Sequence, residues 1–214
     1  MFEIISHTSK PSESVIRLRA ALHQDQPEAL HYGQGVDKLT QYQYFKDKGL
    51  PHPPWSIKKE EALAWQQEGH TILARQTIKG QTGSGIVVVT PEDVLPDAKV
   101  YTQYVKKKRE FRVNIFKDVV VNLREKLKQK QGTSSFIRNK ANGYTTTHCK
   151  PMSPELETSL KALAMEAREI SPSDFVGVDL IYNEFYNKLY ILEVNGGPSI
   201  EGSSVQDFIK AMGK

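Results

Sequence analysis

The chain has 214 residues, 38% apolar and 25% charged, with a net charge of +4. That length can bury a sizeable core in one or two small domains, and no run of 18 or more apolar residues offers a membrane span. A single cysteine, Cys149, excludes an intramolecular disulfide framework, and MFEIISHTSK lacks a basic region followed by a long apolar one, so a reducing, cytoplasmic location is the expectation. The mild positive charge favours anionic ligands, although solubility accounts for it equally.

In chain order, residues 2–6 (FEIIS) read as a short strand. Residues 11–23 (PSESVIRLRAALH) read as a helix with its lead-in, N-capped by Ser12 and striped by Val15, Leu18, Ala21 and Leu22. Residues 24–36 read as loop. A second helix over 37–49 (DKLTQYQYFKDKG) is capped by Asp37 and closed by Gly49, with Pro51, Pro53 and Pro54 barring continuation. A third helix spans 58–68. Strands over 71–75 (TILAR) and 85–90 (GIVVVT) enclose a loop, QTIKGQTGS, whose glycines let backbone N–H groups turn toward one point between Arg75 and Lys79. Polyphosphate needs such a loop, yet the P-loop spacing is absent and a plain glycine-rich turn fits too.

Residues 99–105 (KVYTQYV) form the next strand, followed by the basic run 106–109. Strands over 110–116 (EFRVNIF) and 119–127 (VVVNLREKL) meet at Lys117–Asp118, RNKANG is turn-rich, and 144–148 reads as a short strand. A long helix over 153–170 starts with Ser153 and Pro154 and buries Leu156, Leu160, Leu163, Ala167 and Ile170. The chain ends in a helix over 204–212.

Between those last helices lies DFVGVDLIYNEFYNKLYILEVNGGPSIEG, two strands and a tight connection. Strand alternation puts Glu193 and Asn195 on one face. A hairpin turning about Tyr186 sets position 179 opposite 193, so Asp179 joins them. Two carboxylates and an amide oxygen make a hard-oxygen set suited to Mg²⁺ or Mn²⁺. The plainer alternative is a polar edge hairpin.

The order of these pieces resembles the ATP-grasp superfamily, in particular its ribosomal-protein glutamate ligase-like and D-alanine–D-alanine ligase-like carboxylate–amine ligases, from about Val36 onward. The segments are VDKLTQYQYFKDKGLPHPPW, ILARQTIKGQTGSGI, VYTQYVKKKREFRV and GVDLIYNEFYNKLYILEVNGGPSIEG. The resemblance implies an α+β fold: a reduced N-terminal region with the Asp-Lys helix (1–54), a lid (55–105) and a C-terminal part bearing the metal site (106–214). The nucleotide lies between two α+β subdomains. It implies ATP and Mg²⁺ (or Mn²⁺) as cofactors. Phosphate ligands are Lys38, Arg75, Lys79, Gly83, Ser84 and Gly85; adenine sits against Gln103, Tyr104 and Val105, and ribose against Glu110. Metal ligands are Asp179, Glu193 and Asn195, while Arg112 and Arg138 steady the transferred group.

The activity so implied joins a carboxylate to an amine through an acylphosphate. A macromolecular acceptor and a homodimer stay open as partners, and no membrane is expected. The chain departs from the family in having arginine at position 75, Gln103 in the hinge, and only some 35 residues before the Asp-Lys helix. Two alternatives remain: a nucleotide-binding module without turnover, and a nucleic-acid binder using the basic strands with aromatics 101, 104 and 111.

Overall fold

The computed structural model describes residues 3–7, 12–21, 29–78, 85–129 and 136–213. Strand β1 (Glu3–Ser6), helix α1 (Glu13–Ala21) and strand β2 (Ala29–Tyr32) form a β–α–β unit with parallel strands. Strand β2 falls where the sequence reads as loop. Ala-Leu-His-Tyr carries no β-branched residue, and its strand character comes from pairing with β1 and from burying Leu30 and Tyr32. These pack with Ile4, Val15, Leu18, Phe175 and Phe208.

Helix α2 (Lys38–Asp47) starts where Asp37 accepts from the N–H groups of Leu39 and Thr40, at 3.0 and 3.1 Å. After it come β3 (Trp55–Ser56), α3 (Lys59–Gln67), β4 (Ile72–Arg75), β5 (Ile86–Val89) and β6 (Val100–Gln103). The four strands make an antiparallel sheet in the order β3-β6-β4-β5. Ile72, Ala74, Val89 and Tyr101 pack with Ala62 of α3. Alternation therefore turns Leu73 and Arg75 to the opposite face.

The larger sheet contains β7 (Arg109–Phe116), β8 (Val119–Lys128), β9 (Tyr144–His148), β10 (Phe175–Asn183) and β11 (Lys188–Asn195), in the order β11-β10-β7-β8-β9, all antiparallel. Helix α4 (Pro154–Arg168), capped by Ser153, covers one face with Leu160, Ala164 and Ala167. Against it lie Phe111, Val113, Val176, Val178 and Leu180, fully buried side chains contributing roughly 1.5–3 kcal/mol each. Helix α5 (Ser203–Ala211) closes the chain. Among the described residues no helix is long and apolar enough to cross a membrane.

Asp179 does stand opposite Glu193, but not through a symmetric turn about Tyr186. The hairpin closes on Asn183 and Lys188 and keeps that register to Leu180 and Ile191; a bulge then takes up Leu192 before Asp179 meets Glu193. The extra residue puts both carboxylates on one face while Ile191 and Val194 stay in the core.

Candidate functional site

With α4 on one face of the large sheet, the polar residues of its central strands share the other. The register aligns Glu193, Asp179, Arg112 and Arg124 across four strands. Asp179 is only 1% exposed. Its two oxygens accept from Arg112 Nε and Nη2 at 2.7 and 2.8 Å, and Lys126 Nζ adds a third bond of 2.8 Å. Lys126 also reaches Glu110 at 2.7 Å, and Lys107 lies 2.9 Å from the other Glu110 oxygen. Burial opposes the charge on Arg112 and Lys126, but the carboxylates around them raise both above their ordinary values.

Lys38 reaches this face because of Gln41, one turn further along α2. The Gln41 side chain donates to the Val194 carbonyl at 3.0 Å and accepts from its N–H at 2.8 Å, satisfying the outer edge of β11. Lys38 is buried by this docking and pairs with Glu193, whose other oxygen accepts from Asn195 Nδ2 at 3.1 Å. Burial pushes the Glu193 carboxyl up, yet Lys38, Lys126 and these hydrogen bonds hold it well below the usual carboxylate range. Four cations (Lys38, Lys107, Arg112 and Lys126) thus meet three carboxylates (Glu110, Asp179 and Glu193). Among the described residues no three His, Cys, Asp or Glu side chains gather at one point; the metal-type set here has two carboxylates and one amide.

The flanking residues are held as follows. Arg75, at the end of β4, has a buried Nε with no partner among the described residues. Gly85 has φ +72°, and a Cβ there would press on Thr77. Lys79, Gly83 and Ser84 lie outside the described residues. The Ile78 carbonyl accepts from Lys38 N–H at 3.2 Å, so the start of the glycine-rich stretch sits at the N-terminus of α2. Of the three hinge residues, Gln103 N–H donates to Pro54 and Tyr104 N–H to Thr71, while Val105 N–H has no partner among the described residues. The Tyr104 ring stands edge-on to Phe136, 4.8 Å between centroids.

Three expectations change. Glu110 is not free for a ribose: its side chain is 3% exposed and both oxygens face lysines. Arg138 does not join Asp179 and Glu193. It donates to the Lys108 and Lys107 carbonyls at 3.2 and 3.1 Å and lies over the Tyr144 ring. Tyr101 and Phe111 are buried in the two cores, which removes them from any nucleic-acid surface.

Residues outside the metal-type set also belong to this face. Lys126 and Lys128 alternate on one strand, but nothing local tells which carries a buried pair. Asn114 donates to Asn122 at 2.8 Å, while its own buried Oδ1 has no partner among the described residues, one pleat from Asp179. Only the pairing of Asn114 with Gly177 would have revealed it. The loop after Asn195 is fixed by close packing. Gly33 N–H donates to the Gly196 carbonyl, and Ser173 Oγ bridges that carbonyl and the one of His31. A Cβ on Gly196 would overlap the Gln34 carbonyl oxygen.

No family model matches the sequence, and no curated protein matches it. Solved structures do. The chain superposes on D-alanine–D-alanine ligase from Bacillus anthracis with TM-score 0.67 at 13% identity, over 99% of this chain and 91% of that one. It superposes on the ATP-grasp ligase PsnB, complexed with minimal precursor, Mg and ADP, with TM-score 0.58 at 18% identity, over 88% and 59%. For N5-carboxyaminoimidazole ribonucleotide synthetase from Thermotoga maritima the values are 0.53 and 13%, over 76% and 42%. The chain therefore spans well under two thirds of the latter two. These superpositions show an α+β fold of the ATP-grasp kind.

Proposed function

We propose that this protein is an ATP- and Mg²⁺-dependent carboxylate–amine ligase, forming an amide or peptide-like bond through an acylphosphate. One observation carries the reading: Asp179, Glu193 and Asn195 share a sheet face on which Lys38 pairs with Glu193 and Arg112 with Asp179. A glutamate kept well below its usual range takes a cation with no proton to expel. These three residues would hold Mg²⁺, which when bound supplies charge neutralisation for the phosphates.

The rest of the chain's part is positioning. Lys38 and Arg75 offer positive ends to the phosphates, and the buried, unpartnered Arg75 Nε fits an oxyanion. Lys79, Gly83, Ser84 and Gly85 contribute from the glycine-rich stretch. Val105 N–H, with the neighbouring carbonyl of Gln103, meets the adenine edge. The substrate carboxylate attacks the γ-phosphorus, ADP leaves, and the amine then displaces phosphate; Arg112 steadies the anion in flight. Arg138 serves by holding the 107–108 backbone that follows the hinge. In this scheme residues 1–54, 55–105 and 106–214 work as N-terminal region, lid and metal-bearing part. PsnB with its precursor suggests a peptide as one class of acceptor.

Isothermal titration of ATP with and without Mg²⁺, on wild type and Glu193→Ala, tests the reading. Expected are metal-dependent binding that weakens at least about tenfold in the variant, and amine-stimulated ADP release by wild type. Absence of ATP binding to wild type refutes the proposal. Binding without turnover against pooled amino acids, polyamines and peptides favours the nucleotide-binding module.

A further inference from the structure

The carboxyl ends of β1 and β2 bring three polar side chains to one point. His7 Nε2 lies 3.1 Å from His31 Nδ1 and 2.9 Å from Gln34 Nε2. An imidazole nitrogen has either one in-plane lone pair or one proton. His7 Nε2 therefore completes only one of these two as a good hydrogen bond, whichever tautomer is present. A cation seated between His7 Nε2 and His31 Nδ1 would take both lone pairs, with the Gln34 carboxamide beside His7 as a third donor. Gln34 offers its oxygen after a half-turn of the carboxamide, which leaves the atom positions unchanged.

The His7–His31 spacing fits one ion. Ligand nitrogens sit roughly 2.0–2.1 Å from zinc. Two of them 3.1 Å apart then subtend an angle of roughly 100°, between tetrahedral and octahedral values. The rings are splayed rather than stacked, with centroids 5.4 Å apart and planes 32° from parallel. Both hang on a hydrogen-bonded frame: His7 N–H donates to the Tyr32 carbonyl at 2.9 Å and His31 N–H to the Asp174 carboxylate at 2.6 Å. Two imidazoles and a neutral amide are borderline donors that select zinc-class ions over Mg²⁺. His7 is exposed, so water can complete the coordination shell.

We propose that His7, His31 and Gln34 form a binding site for a zinc-class divalent cation, distinct from the Asp179–Glu193–Asn195 set. A metal there clips the end of β1 to the segment carrying Gly33, which docks on Gly196. The inference does not depend on the ligase reading.

The test uses the full chain at pH 7.5 with Co²⁺, whose visible absorption reports nitrogen ligation, followed by displacement with Zn²⁺. Wild type is expected to take up one equivalent with a visible band, and Zn²⁺ to abolish it. His7→Ala and His31→Ala should each weaken binding at least about tenfold, whereas His70→Ala should bind as wild type does. Should His31→Ala fail to fold, His7→Ala and Gln34→Ala, both altering side chains at the open end of the strands, decide the matter. No binding to wild type, or equal binding by wild type and the His7 and Gln34 variants, overturns the proposal.

Discussion

Replacing Lys126 by methionine removes one ammonium and strips a partner from two buried carboxylates at once. At 2.7 and 2.8 Å its pairs with Glu110 and Asp179 each carry a gross attraction of about 6 kcal/mol at an effective dielectric constant of about 20. Most of this is cancelled, because the ammonium no longer has to be desolvated and Asp179 keeps Arg112 while Glu110 keeps Lys107. Breaking a buried pair from one side leaves a net cost of about 3–5 kcal/mol, and the retained partners favour the lower end. With a urea m value of roughly 2 kcal/mol/M, the midpoint should fall by about 1.5 M. Glu110→Gln in the same background should cost less than it does alone, with a coupling of at least about 1 kcal/mol. A midpoint within about 0.3 M of wild type would refute the idea that these charges are mutually dependent.

Three further outcomes follow from the same geometry. Glu193 and Glu110 are both held below their unfolded values, so their stabilising contribution is present above about pH 4.5 and is lost as the pH falls through the folded values; an acid titration in moderate urea should be flat from pH 7 to about 5.5 and drop below about 4.5, and a drop beginning near pH 6 would contradict it. Gly196→Ala should destabilise by about 3 kcal/mol or more in thermal melts, because the clash is with the Gln34 backbone, whereas the open position Gly35 should accept alanine at little cost. Burial pushes the Cys149 thiol up to about 11, so alkylation at pH 8 should run about 100-fold slower than in the unfolded chain, and equal rates would show the thiol to be open.

What the sequence conveys here follows the range of the forces involved. Helix α2 is legible because its signals are local: Asp37 caps it, Gly49 and the prolines end it, and Lys38 falls at the first helical position. The Asp179–Glu193 alignment is legible from strand alternation, yet the arithmetic about Tyr186 succeeds only because Leu192 supplies the missing residue. A bulge has no sequence signature beyond the extra residue itself. Strand β2 is invisible for the opposite reason. Its partner β1 is more than twenty residues away, and four residues without a β-branched side chain carry no pattern. Glu110 misleads because one strand position decides its role. A residue two places before Arg112 shares its face, and only the pairing across β8 shows that lysine, not solvent, lies there.

The Gly196 carbonyl has consequences for where this chain can be cut. It receives Gly33 N–H and Ser173 Oγ, and the same Ser173 hydroxyl also serves the His31 carbonyl. Three segments remote in sequence thus share a single junction one residue beyond Asn195. The short β–α–β unit is not an appendage whose removal would leave the rest of the fold intact. A truncation starting at Gly35 would keep every side chain on the polar sheet face, yet it would release the loop that aims Asn195 and, by removing Tyr32, open Phe175 and its neighbour Phe116 to water. For this molecule the first strand, through Ile4, packs into the same core as Phe175 and Phe208.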